Sequence, residues 1–158
     1  MDRYHWLLLF HMAGALMVVG GATLAGIFNV AALRRERPSE IVVLFRLTRL
    51  AVVSVMVGMT LALAFGLWLV ADLDLVKWTD AWVISAIVLW FIANALGSNG
   101  GRRDRHAREL AERLAAEGDQ PSSELRGMMR DPITLAMSWG SGLAVIVILI
   151  LMIWKPGH

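Results

Sequence analysis

The residue best placed to do chemistry in this 158-residue chain is a histidine set in an apolar run, Trp6-Leu-Leu-Leu-Phe-His11-Met-Ala-Gly14. An imidazole among apolar residues has three uses: it ligates a haem iron, it ligates copper, or it pins a neighbouring helix through a hydrogen bond. At 1.5 Å per residue, His11 lies roughly 7–8 Å beyond Trp6 along a helix. At 100° per residue it falls near the stripe of Gly14, Val18, Gly21 and Ala25, and Asn29 returns to the same angle five turns later. That face is expected to turn toward other helices, carrying His11 with it.

Candidate partners for His11 are few. Met152 is expected at a similar depth on the last apolar segment, and a His/Met pair suits a haem iron, although methionine more commonly serves packing. Met56 and Met59, one turn apart, offer soft sulfur to Cu(I). Arg46 and Arg49 could hold anionic groups such as porphyrin propionates or lipid phosphates, or act simply as snorkelling anchors. His5 sits about 120° around the helix from His11, His106 lies in a polar segment, and His158 is the last residue, so none forms a natural chelating pair with it. Asn94 is placed to hydrogen-bond across to another helix.

Other chemistries have no residues to carry them. The absence of cysteine excludes disulfides, thiolate metal sites and cysteine nucleophiles. There is no phosphate-binding glycine loop, no Ser/His/Asp set and no HExxH, so the sequence names no reaction. Asn99-Gly100-Gly101-Arg102-Arg103 is Gly-rich and basic but follows an apolar segment, which predicts an exit turn touching lipid head groups rather than a nucleic-acid site.

The elements that must position His11 follow from composition. The chain is 58% hydrophobic with a mean hydropathy of +0.62, against roughly 45–50% apolar content in a soluble domain. A hydrocarbon core needs about 20 apolar residues per helix. Segments 6–33, 50–71, 78–97 and 133–154 meet or approach that length, the third with the shortest apolar core. The reading is therefore a single all-α transmembrane domain, a four-helix bundle over residues 1–158. Within the loop 98–131, the spacing of Ala107, Leu110, Ala111, Leu114 and Ala115 predicts a short amphipathic helix over about 103–117. The i,i+4 pairs Arg108/Glu112 and Glu109/Arg113 support it. Its narrow apolar face suits head groups or a partner, or else the helix is merely solvated. Asp131-Pro132 reads as an N-cap and first residue of the fourth span.

Charge predicts the orientation. Five Arg between positions 34 and 49 and seven between 102 and 130 face only Arg3, Lys77 and Lys155 at the other boundary. By the positive-inside rule both termini are outside, with the amphipathic helix cytoplasmic. Tyr4, Trp6, Trp68, Trp78, Trp82 and Trp154 collect at the outer boundary, as does the acidic Asp72-Leu73-Asp74 turn with Asp80. The aromatics form an interfacial belt or, alternatively, line a site there. Small residues recur at helical spacing at Ser54, Gly58, Ala62 and Gly66, at Ala136, Gly140 and Ala144, and at Gly14, Gly21 and Ala25. Such stripes predict close helix contact in lipid.

The opening pattern from Trp6 through His11 and Gly14 to Gly20-Gly21, followed by an Arg-rich turn, resembles a bacterial family of uncharacterised predicted integral membrane proteins with four transmembrane helices. More distantly it is similar to the CopD copper-resistance membrane domain and the HemJ-type protoporphyrinogen oxidases. The resemblance implies a four-helix membrane core and haem b or a metal on His11. HemJ-type proteins also rely on a lysine in the third helix, whereas here Lys77 lies just before it, so the likeness is of fold more than of activity. Two functions remain open: a haem- or metal-binding protein of the bacterial inner membrane, copper handling included, and a non-catalytic accessory subunit of a larger membrane complex or a homo-oligomer. Its certain partner is the lipid bilayer, and nothing points to nucleic acid.

Overall fold

The computed structural model describes residues 2–72 and 78–155. Part of the acidic turn (Leu73, Asp74), together with Lys77 and His158, lies outside the described residues. Five helices follow one another: α1 (Arg3–Leu33), α2 (Pro38–Asp72), α3 (Ala81–Ala116), α4 (Ser123–Met129) and α5 (Pro132–Trp154). Four stretches, with α4 and α5 counted together as Ser123–Trp154, are long and apolar enough to cross a membrane. Their large apolar side chains do not hide inside the protein. Leu16 is 69% exposed, Ile153 74%, and in no span is more than 17% of the most apolar window buried. Helices bonded within themselves but coated with exposed aliphatic side chains are at rest only in hydrocarbon.

The bundle is built from two tight helical pairs. α1 and α2, joined by the short Arg34–Arg37 turn, pack along their whole length, and α3 pairs with α5. In the first pair the expected stripes meet each other. A Cβ on Gly14 would stand 2.6 Å from the Ala62 backbone nitrogen, one on Gly58 2.7 Å from the Gly14 carbonyl oxygen, and one on Gly21 2.8 Å from the Ala51 carbonyl oxygen. Only glycine permits backbones this close. The two pairs join through a layer to which each span contributes one buried residue: Val18, Met59, Ala93 and Ala144. The Trp90 indole Nε1 also donates to the Met59 carbonyl oxygen at 3.3 Å.

The α3–α5 seam departs from the expected stripe. Ala136 faces outward, while Ser141, in register with Ala144 rather than Ala136, donates its hydroxyl to the Ala93 carbonyl oxygen at 3.1 Å. Opposite it, Gly97 and Gly100 provide the space. Cβ atoms there would come no closer than 3.4 Å and 3.7 Å to Ser141 and Ser138.

The largest departure is at the arginine-rich end. The expected exit turn at Asn99–Arg103 does not occur, and residues 103–117 are not a separate short helix. α3 runs unbroken for 36 residues, about 54 Å, and α2 for 35, about 52 Å. Both therefore extend roughly 20 Å past a hydrocarbon core of about 30 Å. Beyond the span, the apolar face of α3 lies on α2 and α4. Ile41, Val42, Phe45, Ala107, Leu110, Ala111 and Leu125 form a second core, edged by Leu114, Ala115 and Met129. Burying that face is the reason Gly100 and Gly101 stay helical despite their low propensity.

Polar contacts close this second core. Asp119, at a left-handed φ of 56°, accepts from both the Ser39 amide and the Ser39 hydroxyl at 2.7 Å, capping the start of α2. Arg126 pairs with Glu36 and Arg108 with Glu112, the latter as the spacing predicts. The Ser122 hydroxyl caps α4. Asp131 caps α5, accepting from the Thr134 amide and hydroxyl with Pro132 in the first turn, and also receives Arg103 at 2.6 Å.

Candidate functional site at His11

His11 sits on the α1–α2 seam, half-buried, one turn outside the Gly14/Gly58 contact. Its Nδ1 lies 2.8 Å from the Ala62 carbonyl oxygen. A carbonyl can only accept, so Nδ1 carries the proton, and in the neutral ring Nε2 is then the nitrogen with the free lone pair. The ring lies over Gly66, where a Cβ would come within 3.0 Å of both Cε1 and Nδ1. Ala62 and Gly66 thus cradle the imidazole, Ala62 by its backbone and Gly66 by lacking a side chain. Nε2 has no hydrogen-bond partner among the described residues, and it is not among their buried unpartnered atoms.

Near the histidine runs a ladder of four aromatic rings, two from α1 followed by two from α2. Trp6 stacks on Phe10 at 6.1 Å, Phe10 on Phe65 at 4.9 Å, and Phe65 on Trp68 at 6.5 Å between centroids. Such offset pairs contribute about 0.5–1.5 kcal/mol each beyond area burial. The Phe10–Phe65 stack crosses between the helices and clamps the tryptophan end of the α1–α2 pair, as does the Arg3–Asp72 ion pair.

The other residues singled out by sequence stand apart. Ala62 is thirteen residues from Arg49 and sixteen from Arg46 on α2, roughly 20 and 24 Å along the axis. The fold does not bring these arginines beside the imidazole. Met152 is on α5, which packs against α3 and not along α1. Met59 is buried in the central layer while Met56 is 63% exposed, so the two sulfurs diverge rather than converge on copper. Among the described residues Asn94 makes no bond across the bundle. It donates to the Trp90 carbonyl oxygen of its own helix at 2.9 Å, a turn back. His5 and His106 are exposed, His5 edge-on to Tyr4. No three His, Cys, Asp or Glu side chains converge among the described residues.

The tryptophans divide in the same way. Trp6, Trp68, Trp78 and Trp154 are exposed, in keeping with a belt, whereas Trp82 is buried with Lys155 over its ring at 5.6 Å.

Outside the spans, local contacts set the carboxylates. Burial pushes Asp104 above the usual carboxylate range. The Thr134 hydroxyl and amide, then Arg103, hold Asp131 below it, and the Ser39 hydroxyl and amide do the same for Asp119. Sequence reading missed Ala62 and Gly66 as the histidine's cradle. The available signal was depth: both stripe residues lie within two turns of Trp68, as His11 lies within two turns of Trp6.

Four apolar spans, close glycine seams and an intramembrane imidazole define an integral membrane helical-bundle protein. The chain belongs to the family described as predicted integral membrane protein (DUF2269), whose model matches residues 5–156. No curated protein and no solved structure matches it.

Proposed function

We propose that this protein is a membrane-embedded binding protein that offers His11 Nε2 as a ligand to haem b or to a metal. The observation that supports this is the Nδ1 bond to Ala62. Metal-ligating histidines commonly give their other ring N–H to a backbone carbonyl, which fixes the tautomer and raises the basicity of the free nitrogen. Haem or metal, when bound, would supply the redox or Lewis-acid chemistry. The chain's own part is to hold the ring, to set the proton on Nδ1, and to keep the site within the apolar layer. On this reading the arginine-rich end is cytoplasmic in a bacterial inner membrane and both termini are outside, supported by the twelve basic residues at one end and the aromatic belt at the other.

Visible spectra and metal analysis of the detergent-purified protein test the ligand. A Soret band or stoichiometric metal lost in His11→Ala but kept in His5→Ala supports the assignment, and a colourless, metal-free wild type overturns it. Reporter fusions at Arg108 and at Lys155 test the orientation, which fails if Arg108 reports the outside or Lys155 the inside.

A second reading, a non-catalytic subunit of a larger complex or homo-oligomer, is favoured by the fourth span. Only 6% of its apolar window is buried, and Trp139, Leu143 and Ile146 are all exposed along it. Co-purification of a stoichiometric partner, lost on Leu143→Glu, would support that reading over the first.

A further inference from the structure

We infer that the arginines at the end of the spans opposite the tryptophan belt form a recognition surface for anionic phospholipid head groups. Two helices locate it independently. On α2, Arg49 lies nineteen residues from Trp68, and on α3, Arg102 lies twenty from Trp82. At 1.5 Å per residue both intervals are about 28–30 Å, one hydrocarbon thickness. With the exposed Trp68 at one interface and Trp82 buried at the same end of α3, Arg49 and Arg102 stand at the phosphate level of the other.

The two helices are also level with each other there. They run antiparallel, Met59 clustering with Ala93 and Phe45 with Ala107, so Arg49 falls within about a residue of the height of Arg102, and Arg46 likewise of Arg105. All four side chains are exposed. None has an ion-pair partner among the described residues, whereas Arg35, Arg103, Arg108 and Arg126 are each paired with a carboxylate. Four unpaired guanidiniums on two adjacent levels, about 4.5 Å apart along the helices, present bidentate donors where lipid phosphates lie. Zwitterionic head groups offset their phosphate with an amine, so a net negative lipid is the occupant that fits the charge.

Native mass spectrometry of the protein released from nanodiscs containing equal phosphatidylglycerol and phosphatidylcholine tests this. Wild type is expected to retain phosphatidylglycerol at least about fivefold over phosphatidylcholine, the effect of roughly one favourable charge contact. Arg46→Gln/Arg49→Gln and Arg102→Gln/Arg105→Gln should each lose several-fold of that preference, and the corresponding lysine variants should keep most of it. Arg113→Gln, about 16 Å farther along α3, should change nothing. Equal retention of the two lipids by wild type overturns the inference even if a variant fails to fold. So does an equal loss in Arg113→Gln, or displacement of the lipid by millimolar inorganic phosphate, which would mark a phosphate-ion site instead.

Discussion

The two helical pairs of the bundle solve the same packing problem in different ways. α1 and α2 touch backbone to backbone, with Gly14 and Gly58 interlocked so closely that no side chain fits between them. α3 and α5 stand slightly farther apart and are joined by a hydroxyl, Ser141 to Ala93, across glycines that leave room. Hydrocarbon supplies no hydrophobic force between helices, so contact must come from dispersion or from hydrogen bonds. The first pair adds the His11 bond to Ala62 to close dispersion contact at its glycines; the second, with looser glycine contacts, leans on the Ser141 bond.

The sharpest way to break that contrast is a methyl group. Gly58→Ala should cost about 3 kcal/mol, since the Gly14 carbonyl and the Val18 nitrogen are backbone and cannot swing away. Gly100→Ala, whose Cβ would meet only ordinary contacts near 3.7 Å, should be neutral or slightly stabilising. Thermal unfolding in one detergent compares them, and equal effects would erase the distinction between the seams.

Next in size is the imidazole itself. His11→Ala removes the bond to Ala62 and should cost about 1 kcal/mol. A cost near zero in the same unfolding assay would mean that the ring does not pin α1 to α2. Ser141→Ala should cost less, about 0.6 kcal/mol. If its loss exceeded that of Gly58→Ala, the hydroxyl and not the glycine contact would dominate the bundle.

The smallest effect lies outside the membrane and depends on pH. Asp119 is held below its ordinary value by the Ser39 hydroxyl and amide. Its contribution is therefore present above the unfolded-state value near pH 4 and is lost as pH falls through the lower folded value. Amide protection at Ile41 and Val42, corrected for the intrinsic exchange rate at each pH, should fall below about pH 4 in the wild type and show a flatter acid response in Asp119→Asn. Parallel profiles in the two proteins would remove Asp119 from the account.

Legibility in the sequence tracked the period of the pattern. Apolar length and the Trp/Arg polarity mark the spans, and the stripes on α1 and α2 mark their seam, because one glycine every turn leaves little else to do. The cap at Asp131 was readable for the same local reason. What stayed hidden was long-range. Gly100-Gly101 carries a turn signal, yet the second core overrides it, since Ala107, Leu110 and Ala111 find Ile41 and Phe45 only if α3 continues straight. Ser141 was missed because a serine in an apolar run does not announce its distant acceptor. The same holds for Ala62, whose contribution to the site is a backbone oxygen that any residue would carry.

One consequence of the unbroken α3 is mechanical. A continuous helix bends reluctantly, so whatever tilts its inner half in the bilayer must swing its outer half through the aqueous phase. With the tip at Ala116 some 35–40 Å from the bilayer centre, a tilt of about 5° carries it roughly 3 Å. As long as α3 stays helical through Gly100 and Gly101, changes in bilayer thickness or in helix seating are thereby turned into movement of the second core.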